Sequence, residues 1–493
     1  MNAGPEQALR GLVEAEPDQP AHWLQLTALL ERQGDTAGAE TYYRRLIERL
    51  PELPVARFNL ACFLRRRGRL DEALQEHQKA LDLGIDGPEE ILSNMGVIYT
   101  ELRRDEPAKT HFERALAIRP AYIPAQFNLA LLHEEMGEWP QALGLFEKIL
   151  EQDPAYTEAL VRIAHARRAN PPDDPIIRRL QRALRRATIS PPARENLHFA
   201  LGKVLDDCGR FDEAFDQYRL GNQLSTLRLL PYDTRAEEAR VERILTLFNA
   251  DWLARATPVS DRPLVFITGM FRSGSTLFEQ VLAAHPRVTA GGEIDYFHRE
   301  LLRPGTRFPD SIATIDPEEW QRLGAGYLEH LDRTFPGAGI VTDKRPDLFP
   351  LLGLLRAMYP NARFVNTVRD ARDTCLSIWF QQFDGRLGYA NDLSKIAHHY
   401  RQYRRLLAHW RKLFGERIFD ADYDSFVADP RPVASALCEF LGLEWHEDCL
   451  APERTANRVR TASVAQVREP LYRRSSGRWR NYARQIAKFE RQL

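Results

Sequence analysis

The chain has 493 residues, 44% of them hydrophobic and 28% charged, and a formal net charge of -1. That length exceeds what one hydrophobic core organises, so two or three domains are expected. The near-neutral balance argues against a general nucleic-acid binder, whose affinity rests on a basic surplus. Five scattered cysteines (Cys62, Cys208, Cys375, Cys438, Cys449) form neither a metal-ligand pattern nor a disulfide framework. With no apolar signal region and no run long enough to span a bilayer, the expectation is a cytoplasmic chain without a membrane span.

The first elements in chain order are helical and periodic. Ala39, Ala73, Ala108 and Ala142 recur at spacings of 34, 35 and 34, with Tyr43, His77, Phe112 and Phe146 four positions on. Gly34, Gly68 and Gly137 stand where a first helix ends and a second begins. Ala61, Gly96 and Ala130 allow paired helices to approach, and Pro51, Pro120 and Pro154 close three units. The pattern resembles the tetratricopeptide repeat, with four units across 20–155. Irregular further helices run to 225, where a fifth pair would use Gly202, Ala214 and Tyr218. The resemblance implies an all-α solenoid over 1–225 whose concave face binds a protein or peptide partner. An unrelated helical bundle is the alternative.

A helical stretch and two prolines over 226–261 read as a connector. From 262 to 493 short β-branched runs (264–269, 339–343, 363–368, 417–423) alternate with amphipathic helices. Such alternation predicts an α/β domain built on a parallel sheet.

The first of these strands enters Gly269-Met-Phe-Arg-Ser-Gly-Ser-Thr276 and then a helix. This is P-loop spacing in the strand–loop–helix setting that lets backbone N–H groups and a helix N-terminus hold an anion. Ser275 stands where a triphosphatase places lysine, and the cation is instead Arg272. After the strand 363–368, Arg369 and Ser377 are spaced to meet on one phosphate, or else form a salt-bridged strand exit. Glu293 follows two glycines, which suggests backbone pressed against a ligand and a candidate general base; Asp295, His298 and His285 are rivals. Lys344 ends a strand in a chain with eight lysines against 60 arginines, and Arg345 beside it could take the same role.

Residues 266–276 (FITGMFRSGST) resemble the 5′-phosphosulfate loop of the sulfotransferases, with Phe271 in place of the usual proline. The best match is to the tyrosylprotein branch and its bacterial relatives, over 262–482. The resemblance implies 3′-phosphoadenosine 5′-phosphosulfate as donor and no metal. It places Arg272, Ser273, Gly274, Ser275 and Thr276 on the 5′ end, Arg369 and Ser377 on the 3′-phosphate, and Tyr423 and Arg478 near the nucleotide. Glu293 would be the base, and Lys344 and Ser463 would stabilise the leaving oxygen. Two departures stand out. Gln381 occupies a place where the family sometimes has arginine, and the peptide-contacting pattern after Glu293 is absent. The implied activity is sulfuryl transfer to a hydroxyl, with a protein or peptide tyrosine as one acceptor and a sugar, lipid or small molecule as others. A kinase-like ATP-using enzyme and a repeat scaffold with an inactive domain are the competing readings.

Overall fold

The computed structural model describes residues 4–166, 171, 173–302, 306–383, 385, 387–454, 467 and 470–493. The chain divides into two compact units, 1–134 with 138–159, and 135–137 with 160–493.

The first unit is a series of helix pairs: Pro20–Gln33 with Thr36–Arg49, Pro54–Arg66 with Leu70–Asp82, Pro88–Glu101 with Asp105–Ile118, and Ile123–Met136 with Trp139–Gln152. Proline opens the first helix of the first three pairs, where its missing N–H costs nothing. The periodic alanines 39, 73, 108 and 142 are fully buried, as are the bulky residues four positions on. Gly96 lies so close to Phe112 that a Cβ would sit 2.5 Å from the ring. The turns at Gly34, Gly68 and Gly137 are left-handed, and Arg103 adopts the same conformation in the third pair at φ 59°.

In the second unit, helices Pro191–Asp207 and Phe211–Ser225 repeat this pairing, with Gly202 against the ring of Tyr218. Their outer face is covered by the α/β part. Tyr218 stacks on Phe380 at 4.1 Å, Phe215 lies 4.5 Å from Trp379, and Asn222 Nδ2 donates to the Trp379 carbonyl at 2.8 Å.

The sheet has five parallel strands: β1 (Val265–Gly269), β2 (Val288–Ala290), β3 (Ile340–Lys344), β4 (Arg363–Val368) and β5 (Ile418–Asp422), in the order β2-β3-β1-β4-β5. Phe266, Ile267, Phe364 and Val365 are fully buried, as expected for a parallel sheet covered on both faces. From β1 the chain moves toward the β2 edge and from β4 toward the β5 edge. The carboxyl ends of these two neighbours therefore flank a topological switch point, where a crevice opens in folds of this kind. Register aligns Gly269 with Thr367, so the glycine loop and Arg369 leave the sheet side by side. A solenoid followed by a parallel α/β domain is the architecture expected from the sequence. β2 is the strand it did not reveal, three residues being too short for a pattern.

Among the described residues no helix is long and apolar enough to cross a membrane.

Candidate active site

Close packing shapes the loop after β1. Gly269 has φ 147°, and a Cβ there would meet Thr367 Oγ1 at 2.5 Å. Gly274 has φ 106° with the Tyr423 ring 2.8 Å from where its Cβ would be. Ser273 Oγ donates to the Met270 carbonyl at 2.6 Å and lies 2.6 Å from Thr367 Oγ1, which clamps the turn to β4. Arg272 is held at φ 66°, a conformation costing a non-glycine residue about 1–2 kcal/mol. Helix Ser275–Ala283 begins with buried Ser275 and Thr276 and, among the described residues, no side-chain cap, so its first N–H groups face the loop. Strain of this kind, an uncapped helix start and a cation inside the turn together favour an anion.

The cations converge on that loop. Arg272 Nε donates to Ser377 Oγ at 3.2 Å, and Arg369 donates to the Arg272 carbonyl at 3.2 Å and to the Ser475 carbonyl. Arg369 lies over the Tyr423 ring at 5.0 Å, and its buried Nε has no hydrogen-bond partner among the described residues. Burial, followed by the charges of Arg369 and Arg478, pulls the Arg272 guanidinium down to about 10. Crowded guanidiniums with an unsatisfied buried donor are unfavourable until an anion joins them. The residues assigned from sequence to the 5′ end and to the 3′-phosphate thus form one contiguous surface.

Arg478 is placed differently from its neighbours. It pairs with Asp206 of helix Pro191–Asp207, which also accepts from Tyr482, and lies over the Phe380 ring at 5.1 Å. Ser463 lies outside the described residues.

On the other side of β1, Lys344 ends β3 with its side chain 1% exposed and donates to Glu293 Oε1 at 2.6 Å. Glu293 is 39% exposed, so the carboxylate faces solvent while its ammonium partner is sheltered. The first of the two glycines before it serves the strand: Gly291 N–H donates to the Thr342 carbonyl, and a Cβ on Gly291 would be 2.2 Å from that oxygen. The rival groups lie against other side chains. Asp295 takes Arg345 at 2.7 Å, and His298 Nε2 lies 3.0 Å from Asp347 Oδ2, although among the described residues neither buried ring nitrogen makes a well-formed hydrogen bond. Both ring nitrogens of His285 are bound, to the Glu444 carbonyl and the Arg287 N–H. Burial alone would raise Asp347, yet His298 and Arg345 hold it down at about 2.

Reasoning from sequence passed over Glu279 and Asp206. A charge inside the apolar helix STLFEQVLA was a signal for the first; nothing ties Asp206 to a partner 272 positions away. Among the described residues no group of three His, Cys, Asp or Glu side chains is placed to hold a metal ion.

Residues 263–447 match the model of the sulfotransferase family, and tetratricopeptide repeat models match 20–61, 53–121 and 106–167. An uncharacterized protein of Aquifex aeolicus (strain VF5) is 28% identical over 409 residues, covering 80% of this chain and 52% of that protein. Protein-tyrosine sulfotransferase 1 of Danio rerio is 26% identical over 226 residues, covering 42% of this chain and 61% of that protein. The sulfotransferase domain of the Synechococcus PCC 7002 olefin synthase superposes with a TM-score of 0.36 at 22% identity, covering 46% of this chain and 89% of that domain. The chain thus spans about half to three fifths of the length of the two full-length relatives.

Proposed function

We propose that this chain, a sulfotransferase-family domain joined to tetratricopeptide repeats, moves a sulfuryl group from 3′-phosphoadenosine 5′-phosphosulfate to an acceptor hydroxyl. The reading is carried by one juxtaposition: an anion-seeking surface and a Lys344–Glu293 pair at the same carboxyl edge, on either side of β1. The N–H groups of the loop, with Arg272, hold the 5′-phosphosulfate, while Arg369 and Ser377 hold the 3′-phosphate. Tyr423 packs against the loop and under Arg369, which keeps both in place. Glu293 accepts the proton of the acceptor hydroxyl as its oxygen bonds to sulfur. The bond from sulfur to the bridging oxygen breaks, and 3′-phosphoadenosine 5′-phosphate leaves. Lys344 has three N–H donors, so it can keep Glu293 and also meet the charge growing on the bridging oxygen. The same proposal assigns Ser463 to the leaving oxygen and Arg478 to the nucleotide.

The acceptor suggested by the relatives' names is a protein tyrosine, and the repeats are proposed to bind the protein that carries it. Near Glu293 the cation Arg345 is already neutralised by Asp295 and Asp347, which disfavours a strongly acidic peptide there.

Calorimetry with 3′-phosphoadenosine 5′-phosphate, AMP and ATP with magnesium tests the donor. Binding that needs the 3′-phosphate supports the reading; preference for ATP would turn it toward a kinase. Glu293→Gln should lower sulfur-35 transfer by roughly 10²–10⁴-fold and leave donor-product affinity unchanged. Binding without transfer in the unaltered chain would favour the inactive scaffold.

A further inference from the structure

Glu279 has no part in the transfer just described, yet it lies directly beneath it. It sits on helix Ser275–Ala283, a turn beyond the phosphate loop, and is 3% exposed. Its Oε1 accepts twice, from the Gly292 N–H at 2.9 Å and from Thr342 Oγ1 at 3.0 Å. Gly292 directly precedes Glu293, and Thr342 is two residues before Lys344 on the same face of β3. The Lys344 N–H closes the arrangement by donating to the Gly292 carbonyl at 2.9 Å. One carboxylate oxygen therefore joins the helix of the phosphate loop, the backbone carrying the base, and the strand carrying the ammonium. Burial raises the Glu279 carboxyl above its ordinary range, opposed by the charge of Lys344. An apolar side chain would fill this position at a smaller desolvation cost, so packing alone does not account for a carboxylate here.

We propose that Glu279 is a positioning residue, which fixes the segment bearing Glu293 at the separation from Lys344 where the two can act on one reacting centre. The inference rests on the reading of Glu293 as the base. At 3% exposure Glu279 does not reach substrate, so its effect passes through the Gly292 backbone and Thr342.

The test uses the full chain with Glu279→Leu, Glu279→Gln, Thr342→Val, and Glu279→Leu combined with Glu293→Gln. Sulfur-35 transfer gives kcat, and calorimetry gives the Kd of 3′-phosphoadenosine 5′-phosphate. Glu279→Leu should lower kcat about 10- to 100-fold, the scale of a misplaced catalytic group, with Kd within about twofold. Glu279→Gln keeps an acceptor oxygen and should recover most of that loss. Thr342→Val removes half of the bridge and should fall between the two, which keeps the question open to measurement if the leucine variant does not fold. In the Glu293→Gln background the leucine change should add nothing further. A normal kcat in Glu279→Leu, a parallel rise in Kd, or glutamine as damaging as leucine would each overturn the proposal. Full activity of Glu293→Gln alone would remove the base instead, and a kcat loss in Glu279→Leu would then have to act through some other group.

Discussion

Arg369 shows how one side chain is held ready at a cost. Its guanidinium bonds two carbonyls, covers the Tyr423 ring and leaves Nε without a partner among the described residues. Arg369→Lys keeps the charge and loses the planar fork, so affinity for 3′-phosphoadenosine 5′-phosphate should drop about tenfold or more. Unchanged affinity would mean that charge alone suffices there. Asp343 offers a second measurement at this scale. It accepts from the Tyr327 hydroxyl at 2.9 Å, and burial raises its carboxyl to about 7. Between its ordinary value and about 7 the folded chain keeps a proton that the unfolded chain releases, so stability falls as pH rises through that window. Asp343→Asn should abolish this dependence, with a Tm advantage that grows from about pH 4 to about pH 7 and levels above it. Parallel Tm curves for the two proteins would refute it.

Among the elements, the repeat helices show how a period becomes packing. Gly96 is required by the ring of Phe112, which is 1% exposed and has no room to withdraw. Gly96→Ala should therefore lower the denaturation midpoint of the helical signal, by about 1–3 kcal/mol of overpacking. This contact was legible in the sequence because a small residue and a ring recur at fixed offsets. The glycine loop was legible for a similar reason: its geometry is local, and the spacing carries it. β2 was hidden by its length. The Asp206–Arg478 pair was hidden because tertiary folding, and no short-range pattern, brings those side chains together. The glycines before Glu293 suggest a ligand in the sequence, whereas strand β3 occupies that space at Gly291 and Glu279 takes the Gly292 N–H. Sequence announces a close approach without saying to what.

Across the whole second unit, helix Pro191–Asp207 supplies the carboxylate that compensates Arg478, and helix Phe211–Ser225 supplies the rings that meet Trp379 and Phe380. Breaking this ion pair leaves a largely sheltered cation beside Arg272. Asp206→Asn should cost about 3 kcal/mol, the lower end for buried pairs because 27% of the Arg478 side chain stays exposed. Added 3′-phosphoadenosine 5′-phosphate should raise Tm more in the variant than in the parent chain, since its phosphates supply the lost negative charge. Equal shifts would separate Arg478 from the donor.

The stacking of Tyr218 on Phe380 also bears on how such a gene can be cut and rejoined. Severing it near codon 262 would strip the cover from Trp379, Phe380 and Tyr482 and yield a sticky, aggregating product. A junction near codon 160 keeps those rings roofed, so shuffling of upstream repeats is expected to leave everything after that point travelling as a single heritable block.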